Sequence, residues 1–327
     1  MNTRTPLRPK GVAALGLAAA LTLMSSVALA ANVRGTNRGE RLGGTEGSDY
    51  IKARSGNDRV RAYGGDDIVS AGRGRDYVSA GGGDDKVTGG RGVEQDRLYG
   101  GAGEDKIRGG AGDDLMNGGL NGDDLYGNVG ADTIEGGTGG DFIAGNAGSD
   151  TLSGGDIHGD RIYAGPDGDS AKGGGGNDRI HGGDGTDRLR GDSGNDLMSG
   201  GRGDDTQIGG SGSDTIYANQ GADETFGGSG NDRLWALASA DVPLPGVDTL
   251  HGEDGNDTFY TRDGEPDQID CGRGKDTANL DSVDVIVDAT AASPNGSCET
   301  VKRAAPKAKE DASENSRESP EDDKKEG

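Results

Sequence analysis

The sequence predicts an all-β protein, a right-handed parallel β-roll in which short strands stack as coils of a solenoid. Three observations carry this. Across residues 103–152 a nine-residue unit, G-G-x-G-x-D-x-U-x with U a large apolar residue, is written six times without a slip. The same register holds over residues 40–276, where 21 of 25 steps between successive acids are nine residues and the four exceptions are all longer. Two columns not used to choose that register also repeat: the residue two after the acid is apolar in 24 of 26 slots, and glycine lies two before the aspartate in 20 of 25. Self-similarity at a fixed period is the mark of a repeat architecture.

Each unit supplies a three-residue strand around its apolar slot and a six-residue glycine-rich turn, so two units make one coil of 18. Coils stack with strands in parallel ~4.8 Å apart, and about 13 of them would form a rod on the order of 60 Å long. Successive units alternate sides. Asp114 is therefore expected to stack with Asp132 and Asp150, and Asp105 with Asp123 and Asp141. Gln207 and Thr225 break the apolar column, and Ala171 and Ala278 shrink it. The longer steps, 85 to 96, 150 to 160, 232 to 248 and 257 to 267, read as outward insertions.

The repeat resembles the RTX, or hemolysin-type, calcium-binding nonapeptide over residues 40–278, and the resemblance rests on spacing kept over that length. It implies calcium ions held between adjacent turns by motif aspartates and turn carbonyls. The chemistry agrees, because calcium takes six to eight oxygen ligands, whereas magnesium wants tight octahedral geometry and keeps its waters. Carried over to the uninterrupted runs, the resemblance selects Asp49, Asp58, Asp67, Asp76 and Asp85. It further selects Asp105, Asp114, Asp123, Asp132, Asp141 and Asp150, and then Asp178, Asp187, Asp196, Asp205, Asp214, Asp223 and Asp232. Glu94, Asn121, His158, Asp167 and Glu265 replace the glycine two before the acid, so weak or absent ions are expected near Asp96, Asp160, Asp169, Asp248 and Asp267.

Residues 1–30 read as a signal peptide, with Arg4, Arg8 and Lys10 ahead of an apolar run and the small-residue ending Ala28-Leu29-Ala30. The apolar run is shorter than the ~20 residues a membrane span needs. A secreted, extracellular protein is expected, although many RTX proteins leave the cell with no cleaved leader. The net charge of −24 becomes −27 without the three basic residues of the leader. Such a surface repels nucleic acid and anionic membrane and attracts divalent cations. At 29% hydrophobic residues the composition alone would leave the chain unfolded. Neutralisation of the carboxylates supplies what the thin core does not.

Residues 31–280 are assigned to the roll, 281–302 to a C-terminal cap and 303–327 to a disordered charged tail. Cys271 and Cys298 are expected to form a disulfide, as suits a secreted protein. Val283, Val285 and Val287 alternate with polar residues and read as a terminal strand that blunts the open edge. Arg59, Arg97, Arg161, Arg179, Arg188 and Arg233 follow motif acids on the outward side and offset the acidic turns. Two Arg-Gly-Asp tripeptides, at 190–192 and 202–204, read as accidents of the repeat. The insertion at 235–247 holds the lone Trp235, a candidate partner contact or a cover for an edge of the roll. His158, His181 and His251 are scattered and no G-x-S-x-G nucleophile motif occurs, so an enzyme is not expected. The function these readings imply is a secreted calcium-binding repeat protein; the alternative is a surface adhesin or carbohydrate-binding module on the same scaffold.

Overall fold

The structure is a computed structural model and describes residues 30–236 and 246–306. The signal-peptide reading, nearly all of the tail and most of the insertion therefore lie outside the described residues. Among those described, every regular element is a strand, and no helix is long and apolar enough to cross a membrane. Consecutive strands fall alternately into two fifteen-stranded sheets with parallel pairing throughout. The first runs from Asn32–Arg34 to Thr300–Arg303; the second runs from Arg41–Gly43 to Val285–Ile286. At ~4.8 Å per strand the stack is ~65 Å long.

Pairing follows the 18-residue coil. Ile107 lies beside Leu125 and Leu125 beside Ile143 in the first sheet; Met116 lies beside Ile134 and Ile134 beside Leu152 in the second. These slots are fully buried and meet in one continuous core. The strands are longer than expected. Lys106–Ala111 is a six-residue strand, and pairing continues past the glycine pair, with Gly110 beside Asn128 and Ala111 beside Val129. Gly110 makes this possible with a φ of 121°, and a Cβ there would come within 1.9 Å of the Gly90 carbonyl oxygen. The chain bends at the glycines without losing its partners, so the unpaired turn shrinks to about three residues.

Core volume is shared between the apolar slot and the residue two after it, which also points inward. Val60, Val69 and Val78 are followed by the buried methyls of Ala62, Ala71 and Ala80. Leu98, Ile107, Met116 and Leu125 are followed by glycines. Small next to larger, and larger next to nothing, keeps the interior filled at constant width. The two polar slots form one internal rung: Thr225 Oγ1 donates to Gln207 Oε1 at 3.1 Å, and Gln207 Nε2 donates to the Tyr217 carbonyl at 3.0 Å.

At the C-terminal end a terminal strand is present at Val285–Ile286. Val283, Val285 and Val287 stay about half exposed, and Ile286 is the residue that enters the core, beside Ile269. The register is set by Asp284, which continues the acid column with Ile286 two residues on. Glu299 and Val301 form a further unit of this kind, with Glu299 accepting the Asp276 N–H at 2.7 Å. The expected disulfide between Cys271 and Cys298 is present, with Cα atoms 5.3 Å apart. Trp235 stacks between Tyr217 and Tyr260 on the outer face of the first sheet rather than over an edge.

The polar rung generates a stability prediction. Thr225→Val leaves the Gln207 oxygen buried without its donor and should cost ~1–3 kcal/mol, whereas Gln207→Leu with Thr225→Val should be near neutral. Thermal unfolding of both variants in calcium checks this, and a double variant weaker than the single would contradict it.

Candidate metal centre

Each motif aspartate stands where the chain leaves the turn and enters a strand, and each is almost completely buried, Asp114 at 1% and Asp214 at 0% exposure, while Glu40 is half-buried and Glu299 exposed. The backbone N–H of one aspartate donates to Oδ1 of the aspartate one coil later: Asp114 to Asp132 and Asp132 to Asp150, both at 2.7 Å. Asp105 to Asp123 and Asp123 to Asp141 repeat this on the opposite side, at 2.8 and 2.7 Å. The expected alternation of stacks is therefore present. A column of like-charged carboxylates lines each side of the roll.

The second oxygen decides what the columns can do. Oδ2 is buried and without a hydrogen-bond partner in twenty-two aspartates. All eighteen expected ligands except Asp49 belong to this set; Asp160, Asp169, Asp257, Asp267 and Asp276 join them. Asp160 and Asp169 sit as the runs do, because Asp167 adopts the left-handed conformation of the glycine it replaces, with φ of 81°, and the chain around His158 absorbs its insertion. Asp96 and Asp248 fall outside the set.

Glycine five residues before the acid, where it occurs, leaves room beside Oδ2; before Asp58, Asp67, Asp76, Asp85, Asp169 and Asp223 the place is held by a buried alanine. A Cβ added at Gly109 would lie 2.6 Å from Asp114 Oδ2 and 2.9 Å from the Gly127 carbonyl oxygen. A carboxylate oxygen and main-chain carbonyls thus face one another across a space that a methyl would crowd. Among the described residues no group of three or more His, Cys, Asp or Glu side chains converges as a metal site. The side chains supply one carboxylate per turn, and main-chain oxygens must supply the rest. An orphaned buried carboxylate oxygen beside carbonyls suits a hard, oxygen-seeking cation of flexible coordination, which is calcium; zinc, which prefers nitrogen and sulfur, is a poor match.

At both ends of the columns hydrogen bonds take over. Thr36 donates its N–H and its hydroxyl to the Glu40 carboxylate at 2.6 and 3.0 Å. Thr45 does the same for Asp49. At the other end Asp284 Oδ2 accepts Thr261 Oγ1 at 2.8 Å and the Asp281 N–H at 2.6 Å. A second ladder, unforeseen in the sequence reading, runs along the residue just before the acid: Ala131 N–H donates to Asp113, and Asn195 N–H to Asn177, at 2.9 and 2.8 Å. Its signal was the frequent Asn or Asp at that place, as in Asn57, Asp66, Asp84 and Asn177.

Burial raises the aspartate pKa values, and the neighbouring aspartates in the stack add to it. Asp114 and Asp132 are pushed up to about 7, and Asp123 to about 8. Backbone N–H donors oppose the shift without cancelling it. With the folded pKa above the unfolded one, the folded chain holds more protons between about pH 4 and 8, so stability without metal falls as pH rises through that window. A cation bound by ionised carboxylates reverses the slope, since binding releases those protons. Circular dichroism in chelator should accordingly show more β structure at pH 5 than at pH 8, and in calcium the order should invert. Identical pH profiles with and without calcium would contradict this.

The comparisons agree with the geometry. A family model described as the RTX calcium-binding nonapeptide repeat (4 copies) matches residues 43–78, 63–93, 94–125, 126–156, 163–198, 172–207, 199–234 and 244–278. No curated protein matches the chain. The matched segments cover more than half of the sequence and coincide with the stacked coils, and the chain belongs to the RTX calcium-binding nonapeptide-repeat family.

Proposed function

We propose that the chain is a secreted calcium-responsive rod, whose coils assemble when the carboxylate columns are neutralised outside the cell. The observation that carries this is the buried Oδ2 atom, left without a hydrogen bond in coil after coil. Bound calcium would supply positive charge between stacked carboxylates and oxygen coordination for each Oδ2. Asp105, Asp123 and Asp141 on one side, and Asp114, Asp132 and Asp150 on the other, would hold it together with turn carbonyls. The chain's own work is positional. Backbone N–H groups fix Oδ1, glycine keeps the space beside Oδ2 open, and the apolar slots hold the two columns apart. Ligands that converge only in the folded roll turn binding free energy into folding free energy. Export is supported by the signal-like residues 1–30 and by the Cys271–Cys298 disulfide, a bond that persists in oxidising compartments. A structural role is proposed because the described residues form stacked coils along both sheets.

The test is far-ultraviolet circular dichroism of residues 31–327 during calcium titration, with chelator reversal and magnesium as control. A reversible, cooperative gain of β signal with calcium alone is expected; a complete β signal in chelator at pH 8 would overturn the proposal. Asp132→Asn sharpens it. Removing one stacked charge should make the metal-free chain easier to fold at pH 8, yet raise the calcium midpoint about tenfold, or ~1.4 kcal/mol. A merely structural aspartate would weaken folding in both conditions.

A further inference from the structure

The basic residues of this acidic rod are not spread evenly. On the outer flank of the first sheet, at the bend where five successive strands from Tyr50–Ser55 to Asp124–Val129 enter their glycine tracts, lies a hollow of ≈ 770 Å³. Arg54, Arg73, Arg91 and Arg108 line it, with the hydroxyl side chains of Ser70 and Thr88, and no aspartate or glutamate does. All four arginines are exposed. None meets a carboxylate among the described residues, Arg108 lying instead over the Tyr126 ring, whereas Lys106 pairs with Asp124 at 2.5 Å, Lys172 with Asp192 at 2.9 Å and Arg273 with Asp254 at 3.5 Å.

The placement is costly unless something neutralises it. Arg91 follows Gly90 as Arg73 follows Gly72, and those two glycines are register partners, so the two arginines stand on adjacent rungs one strand spacing apart, ~4.8 Å. Like charges on adjacent rungs repel even in water. Arg54 adds a second cost. It takes the left-handed conformation, φ 88°, in a column otherwise held nearby by Gly72, Gly90 and Gly110. Backbone strain at a non-glycine residue is commonly found at binding sites.

We propose that this hollow binds a linear acidic polysaccharide, its uronate carboxylates paired with the four guanidinium groups. Arginine's planar fork suits a carboxylate. A polymer of pyranose rings advances by about one strand spacing per residue, and five strands offer ~20 Å of matched length. Ser70 and Thr88 offer hydroxyl groups of the kind that sugar hydroxyls bond. A single-stranded nucleic acid is disfavoured because its binding relies on aromatic stacking platforms, and no aromatic ring lines the hollow. The proposal needs the roll to be formed and is separate from the question of what drives its folding.

The test is isothermal titration of the full chain, in calcium and with folding monitored by circular dichroism, against a galacturonate hexamer and its neutral, carboxyl-reduced counterpart. The acidic hexamer should bind, more weakly as salt rises, and the neutral one at least tenfold more weakly. The pair Arg73→Gln with Arg91→Gln should lose at least tenfold in affinity, while Arg179→Gln, an exposed arginine further along the same sheet, should lose none. Arg54→Gly guards against loss of fold: it relieves the strained conformation, so it should leave thermal stability equal or higher and still weaken binding. Absence of binding, equal binding of the neutral hexamer, equal losses at Arg179, or tighter binding of polyglutamate or an oligonucleotide would overturn the proposal.

Discussion

The structure depends on one repeated hydrogen bond, from the backbone N–H of an aspartate to Oδ1 of the aspartate one coil later. It sets the 18-residue register and pulls each carboxylate inward until it is buried. The same bond creates the difficulty the fold must solve, since it lines up charges of one sign in a medium that disfavours them. Burial raises Asp123 to about 8 and Asp223 to about 9, the latter with its neighbour Asp248 contributing. These shifts express how poorly the columns tolerate ionisation by themselves. A rod of this composition is therefore a conditional structure: protonation or a cation must meet the charge before packing can count.

Packing is correspondingly economical. The interior is one residue wide on each side, so the core of a coil consists of two apolar slots and whatever follows them. Valine or isoleucine with alanine, and leucine, isoleucine or methionine with glycine, both occur within one width. The glycines that permit this are also the ones that leave space beside Oδ2. Core and charge are thus coupled through the same position. At Ala53, Ala62, Ala71 and Ala80, and again at Ala164 and Ala218, the methyl goes to packing, while at glycines such as Gly100, Gly109 and Gly118 the space stays beside the carboxylate. A solenoid can mix both kinds, because each coil rests chiefly on its neighbours.

Much of this was legible in the sequence because a period of nine with two independent columns leaves few alternatives. The stacks of Asp114, Asp132 and Asp150 and the inward slots follow from it, and the Cys271–Cys298 bridge from two cysteines in a chain read as exported. Strand length was not legible. A glycine pair reads as a turn, yet Gly110 bends the chain while keeping its ladder partners, a property of φ that composition does not display. The face presented by the terminal strand at residues 285–286 was not legible for a related reason. Alternation fits either face of a strand equally, and the face was chosen by Asp284, an acid eight residues beyond the last one in register. The arginine hollow was invisible because its members come from different places in the repeat and meet only after stacking.

The ends of the columns show what the middle is built for. Were the buried Oδ2 atoms tolerable as they stand, nothing would require different treatment at the termini. Yet Glu40 and Asp49 each have a threonine four residues before them that supplies two donors, and Asp284 draws on Thr261 and Asp281. At these terminal rungs a coil lacks a neighbour on one side, so a cation between coils would lack half its ligands, and hydrogen bonds are the remaining means of satisfying a carboxylate. In the interior no such donors are provided, because that place is mostly held by glycines such as Gly110, whose φ of 121° and close carbonyl neighbour leave no room for a threonine. The chain thus distinguishes carboxylates that stand alone from carboxylates that have a partner coil. A cation shared between two coils, as proposed above, would meet the interior oxygens that the backbone leaves without donors.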